Sequence, residues 1–145
     1  MLQRSCVLVC LMVLAGGVPP ASAQDDPNYG PPVFENPGDT VPIGQRFRIS
    51  GHFPKTFYGL KSDRVVITVT KVGQVNPIFS DNTCMTDNGA PPKTKVKFDT
   101  DVLGVIKQPI IGEAGACVIT VTAERKDNND VFIPIETGSK TITAQ

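Results

Sequence analysis

The sequence predicts an all-β protein, an antiparallel β-sandwich or barrel of about seven to nine short strands. Three observations carry that expectation. Apolar residues recur with a period of two, as in Arg46-Phe47-Arg48-Ile49-Ser50 and Lys93-Thr94-Lys95-Val96-Lys97-Phe98. Turn residues punctuate the chain at short intervals, among them Asn36-Pro37-Gly38-Asp39, Gly51, Gly73, Asn88-Gly89, Gly104, Gly112, Gly115 and Gly138. No window joins a helical period to a cap and freedom from Gly and Pro. The 116–133 stretch lacks both Gly and Pro, yet it is too rich in Val, Ile and Thr for a helix.

Residues 1–23 read as a signal peptide. Met1–Arg4 carries one positive charge, Cys6–Leu14 is a continuous apolar run, and Ala21-Ser22-Ala23 places small residues at a cleavage site. The run from Ser5 to Val18 is too short for a spanning helix, and Gly16, Gly17, Pro19 and Pro20 end it. Residues 24–31 form a polar, Pro-containing lead-in, and residues 32–145 form one domain. The full chain balances 14 basic against 14 acidic side chains with a pI near 6.5. Cleavage removes Arg4 and leaves a net charge of −1. Such a chain has no basic field for nucleic acid and no segment for membrane insertion after cleavage. The address implies a secreted protein, extracellular or periplasmic. Of the four cysteines only Cys84 and Cys117 survive cleavage, and two cysteines in an exported chain most simply form one disulfide. A loop of that length contributes roughly 3–4 kcal/mol in the chain-entropy model.

The strands follow in order. Pro32–Glu35 is a short first strand. Gln45–Gly51 alternates, with Phe47 and Ile49 inward and the arginines outward. Arg64–Val72 is a near-continuous β-branched run, as a central strand requires, and puts Ile67 and Val69 in the core. Val75–Ser80 is a shorter strand. Lys93–Asp99 turns three lysines outward and Val96 and Phe98 inward. Val105–Ile110 follows, then Ala116–Glu124 with Ile119 and Val121 on the core face, and Ser139–Ala144 closes the fold.

Two stretches resemble the Ig-like β-sandwich domains of exported and cell-surface proteins. Pro42-Ile43-Gly44-Gln45-Arg46-Phe47-Arg48-Ile49-Ser50-Gly51 is similar to their second strand. Phe98-Asp99-Thr100-Asp101-Val102-Leu103-Gly104, followed by Gly115–Ala123, is similar to the segment that leads into their penultimate strand. The resemblance covers about half the mature chain and implies fold rather than partner. Antibody-type features are missing: there is no Trp on the third strand and no inter-sheet Cys pair at the usual spacing. With eight strands alternating in direction, the fourth ends and the seventh begins at one pole, which brings Cys84 to Cys117. The loops after the second, fifth and seventh strands are expected together at the other pole.

Catalytic chemistry has little to work with. Ser50, Ser62, Ser80 and Ser139 lack a nucleophile-elbow setting, and the one histidine, His52, has no carboxylate nearby in sequence to orient it. The chain therefore reads as a non-enzyme without a cofactor. Asp99 and Asp101 offer calcium ligands, with Asp127, Asn128, Asn129 and Asp130 at the same expected pole, but these residues equally suit tight turns. The Gly51–Leu60 loop holds three of the nine aromatics within six residues, suited to a docking surface or to a hydrophobic plug. The sequence thus points to a module that binds a protein or surface component through Lys55, Phe57, Tyr58, Asn128 and Asn129. The alternatives are a secreted protein inhibitor acting through the same loops and a self-associating envelope or matrix subunit.

Overall fold

A computed structural model describes residues 30–56, 63–82, 85–86, 95–102 and 105–145. The signal peptide, most of the lead-in, Phe57, Tyr58 and Cys84 lie outside the described residues, as do the side chains of Lys55 and Val96. Eleven strands are formed and no helix among the described residues. They are β1 (Val33–Asn36), β2 (Thr40–Val41), β3 (Ser50–Thr56), β4 (Asp63–Lys71), β5 (Phe79–Asp81), β6 (Met85–Thr86), β7 (Lys95–Asp99), β8 (Asp101–Val102), β9 (Val105–Ile106), β10 (Gly115–Lys126) and β11 (Phe132–Ala144). One sheet has the order β1-β3-β7-β6, the other β2-β11-β10-β4-β5, and β8-β9 is a separate small hairpin. The chain is all-β, with its two main sheets arranged like a sandwich.

The period-two segments explain the core between the sheets. In β10 Cys117, Ile119, Val121 and Ala123 are buried while the residues between them are half-buried. β4 contributes Val65, Ile67 and Val69, and β11 contributes Ile142. The facing sheet supplies Ile49, Phe53 and Phe98, the Phe98 ring standing edge-on to Phe34 at 5.7 Å and to Phe53 at 6.0 Å. Gly51 is required beneath this cluster. A Cβ there would lie 2.1 Å from the Val33 carbonyl and 2.5 Å from the Phe98 ring. Thr100, also buried, ties the end of β7 to the chain before β3: its amide donates to the Ile49 carbonyl and its hydroxyl accepts from the Ile49 amide, both at 2.9 Å.

Three element expectations are corrected. The second strand starts at Ser50 rather than Gln45 and runs through Pro54 to Thr56, so Phe53 is a core residue rather than a loop aromatic. Phe47 and Ile49 still face inward, but that segment is held by Phe47 N–H to the Pro109 carbonyl and by an isolated bridge from Arg46 to Ile110. The expected strand Val105–Ile110 contributes only β9, which pairs β8 and joins neither main sheet. The last strand is 13 residues long, because Pro134 and Gly138 do not break it. Pro134 sits beside the bulge at Ala123/Glu124, on a stretch of β11 that β2 does not reach, where a missing N–H is tolerated, and Gly138 lies under Pro32, whose ring would be 2.4 Å from a Cβ.

Strand direction sets the two poles. β4 is antiparallel to both β5 and β10, so β5 and β10 run the same way. Asp81, at the end of β5, pairs with Ile67 and is therefore level with Val121, four residues past Cys117. In the other sheet β1 runs from Pro32, over Gly138, toward Asp39, whose carbonyl accepts from the Thr143 amide. β3 is antiparallel to β1 and β7 to β3, so β6, antiparallel to β7, runs with β3. The chain thus crosses from β5 to β6 without reversing, which strict alternation does not allow for.

Candidate functional site

At one pole, the hairpin pole, β10 turns into β11 through residues 127–131, and Asp63 at the start of β4 pairs with Arg125. Asp127 builds the turn. Its carboxylate accepts from the amides of Asn129 (2.8 Å) and Val131 (2.9 Å), and its own amide donates to the Val131 carbonyl (2.8 Å). Those two amides hold the Asp127 carboxyl below the usual carboxylate range. Asp130 takes a positive φ of 64° and receives the Lys126 ammonium at 3.1 Å. Asn128 and Asn129 are exposed on this fixed backbone, as the sequence predicts for loop residues.

Beside the turn, the Arg64 guanidinium lies 3.6 Å from the centroid of the Phe132 ring, and the Lys126 ammonium lies 5.6 Å from it. Arg64 also donates to Glu124 at 2.6 Å. Val131 and Ile133, the chain neighbours of Phe132, are exposed. Neither Arg64 nor Phe132 is singled out by the sequence pattern. The signal was there in the β10–β11 register, since Phe132 pairs with Lys126 only if the last strand starts before Pro134.

The other expected site residues separate. Asp99 and Asp101 lie where β3 begins, Asp99 opposite Ser50, whereas Asp127 and Asp130 lie at the hairpin pole; the two acidic groups do not meet. Both Asp99 carboxylate oxygens are bonded to Arg48, Oδ1 at 2.8 Å from Nε, and Oδ1 also accepts from the Asp101 amide at 3.0 Å. The Arg48 bond above all holds the Asp99 carboxyl below its ordinary range. A carboxylate so neutralised is a poor calcium ligand.

Cys117 is a free thiol facing the core, with its pKa pushed up chiefly by burial, and Cys84, its expected disulfide partner, lies outside the described residues.

His52 is also corrected. Its Nδ1 is 2.8 Å from Glu35 Oε1, a carboxylate brought in by β1 that the sequence places 17 residues away. Ser50 stands two residues earlier on β3, but its hydroxyl accepts from the Asn36 amide at 2.9 Å and is not bonded to His52. The His52–Glu35 and Arg48–Asp99 pairs sit on the same sheet, and Glu35, Arg48, Lys97 and Asp99 line a shallow hollow of about 170 Å³. Lys97 pairs with His52 from the neighbouring strand.

At the opposite pole, the Val75 pole, β4 ends, β10 begins, and the turn between β4 and β5 projects Val75, which is 95% exposed. Below that turn a cleft of about 300 Å³ is lined by Lys71, Gln74, Ile78, Ile111, Gly112 and Glu113.

No protein-family model matches the chain, and no curated protein matches it. Among solved structures it is similar to a superoxide reductase (neelaredoxin) from Ignicoccus hospitalis. That likeness has 13% identity and a TM-score of 0.44 over 81% of this chain and 82% of that one. It is also similar to a cohesin module from a family 33 glycoside hydrolase of Clostridium perfringens. There the identity is 12% and the TM-score 0.38, over 81% of this chain and 98% of that one.

Proposed function

We propose that this chain is an exported, non-enzymatic Ig-like module that binds a protein or surface component through its hairpin pole. The observation that carries the reading is the Arg64–Phe132 stack at 3.6 Å, beside a turn locked by Asp127. Arg and aromatic side chains dominate binding hot spots, and a turn already held in place loses little freedom on docking. The Ig-like assignment is supported by the sheet orders, with the first strand split so that β1 pairs β3 and β2 runs parallel to β11. In the chain, Phe57 and Tyr58 precede Asp63, which pairs with Arg125 at this pole.

Photo-crosslinking tests this in the native secretory milieu, with the probe at Asn128 and a control probe at Lys97. The reading requires one foreign partner captured from position 128 and not from 97. Phe132→Ala, Phe57→Ala and Tyr58→Ala should then each weaken binding to that partner by about 1–3 kcal/mol without lowering the melting temperature. Lost stability with unchanged affinity would move the site elsewhere.

A further inference from the structure

Among the described residues, most of the exposed aliphatic side chains lie away from the hairpin pole. Ile43, Val72, Val75, Ile78 and Ile110 are all exposed, and backbone bonds hold them around the Val75 pole. Gly44 donates to the Ile111 carbonyl at 2.8 Å, Val72 to the Ala116 carbonyl at 3.0 Å, and Ile78 to the Val69 carbonyl at 2.8 Å. An apolar cluster of this kind on a small domain marks an interaction surface.

We propose that this pole is the contact surface of a two-fold homodimer, in which each copy's Val75 seats in the cleft of the other. An isologous contact needs one patch that complements itself. Here the projecting group and the recess are neighbours. Val75 tops the turn, while Gln74 and Ile78 of the same turn, with Ile111 across from them, line the cleft of about 300 Å³. A two-fold rotation that places one Val75 over the second cleft places the second Val75 over the first.

The charges on the cleft are self-complementary as well. Lys71 and Glu113 pair at 2.5 Å across its wall, and Glu113 is 80% exposed. The same rotation sets Lys71 of one copy against Glu113 of the other, one attraction made twice. A net charge of −1 after signal cleavage imposes little repulsion between copies. Pairing through sheet edges is the weaker route. The edge strands β1, β2, β5 and β6 have four residues or fewer, and Pro134 and a bulge blunt the part of β11 that β2 does not cover. The resulting dimer would point its two hairpin poles away from each other and make the module bivalent, which raises avidity without new contacts.

Sedimentation velocity on residues 24–145 between about 1 and 200 μM, a range that spans typical weak affinities, tests the proposal. The expected result is a concentration-dependent shift from one to two copies. Val75→Asp should raise the dimer dissociation constant about tenfold or more while leaving the melting temperature of the dilute monomer unchanged, and Val75→Ser is the milder substitute should that variant fold poorly. Lys71→Glu and Glu113→Lys should each be monomeric alone and form a mixed dimer when combined, an outcome that a purely intrachain ion pair does not produce. Three results would overturn the proposal: a monomer throughout the range, a dimer indifferent to Val75→Asp, or charge variants that do not pair on mixing. Crosslinking from Asn128 is independent of every one of these outcomes.

Discussion

At the hairpin pole the chain reverses under three hydrogen bonds made by Asp127 and an ion pair from Lys126 to Asp130, and cations cover the Phe132 ring. At the Val75 pole the turn is held by backbone bonds alone and presents aliphatic side chains to water beside an open cleft. The first pole satisfies its polar groups internally and keeps its backbone fixed. The second leaves apolar area whose burial remains to be gained. A rigid sandwich can therefore carry two kinds of surface, one preorganised and amphipathic, the other driven by apolar burial.

Substitutions sharpen this contrast when ranked by expected size. The largest effect belongs to the scaffold that both poles share. Phe98→Ala should cost about 3–5 kcal/mol in chemical denaturation, since Phe98 is 1% exposed between Phe34 and Phe53. Lys97→Ala, one residue away on the solvent face, should cost less than about 0.5 kcal/mol. Similar losses at the two positions would contradict the strand register.

Next is Cys117, buried under the start of β10 at the Val75 pole. Cys117→Ser places a hydroxyl in an apolar site and should cost about 1–3 kcal/mol. In the native protein the thiol should react with iodoacetamide far more slowly than in urea, as burial raises its pKa and blocks access. A non-reducing peptide map that yields linked Cys84 and Cys117 fragments would restore the bridge.

Asp127→Ala probes the hairpin pole. It should lower the melting temperature modestly at pH 7 and speed amide exchange at Asn129 and Val131, the two donors that lose their acceptor. Because the folded-state pKa of Asp127 is depressed, its contribution is complete above about pH 4, the ordinary Asp value, and is lost as pH falls through the lowered one. The variant and the native chain should therefore converge in stability in strong acid. A gap that widens on acidification would assign the turn to other bonds.

The smallest thermal effect is expected at Val75. At 95% exposure, Val75→Asp should change unfolding free energy by less than about 0.5 kcal/mol, so its consequence is confined to association. A large drop in stability there would mean that the turn packs onto the body of the domain.

The sequence alone determined the class, because period-two alternation and β-branched runs act locally. The strands Arg64–Val72 and Ala116–Glu124 were legible to within a residue or two of β4 and β10, and the inward faces of Phe47, Ile49, Ile67, Val69, Phe98, Ile119 and Val121 follow from the same pleat. Pairing decided the rest. Pro134 and Gly138 read locally as breakers, and only the open outer side of β11 at Pro134 and the overlying Pro32 at Gly138 make them compatible with a 13-residue strand. Whether β5 and β6 reverse direction is not written in either segment, and only the strand pairings put Asp99 and Asp101 away from the hairpin pole. Glu35 reached His52, and Arg64 reached Phe132, by the same means. These partners lie 17 and 68 residues apart, and contacts over such distances are set by which strands lie side by side rather than by anything their neighbours in the chain encode.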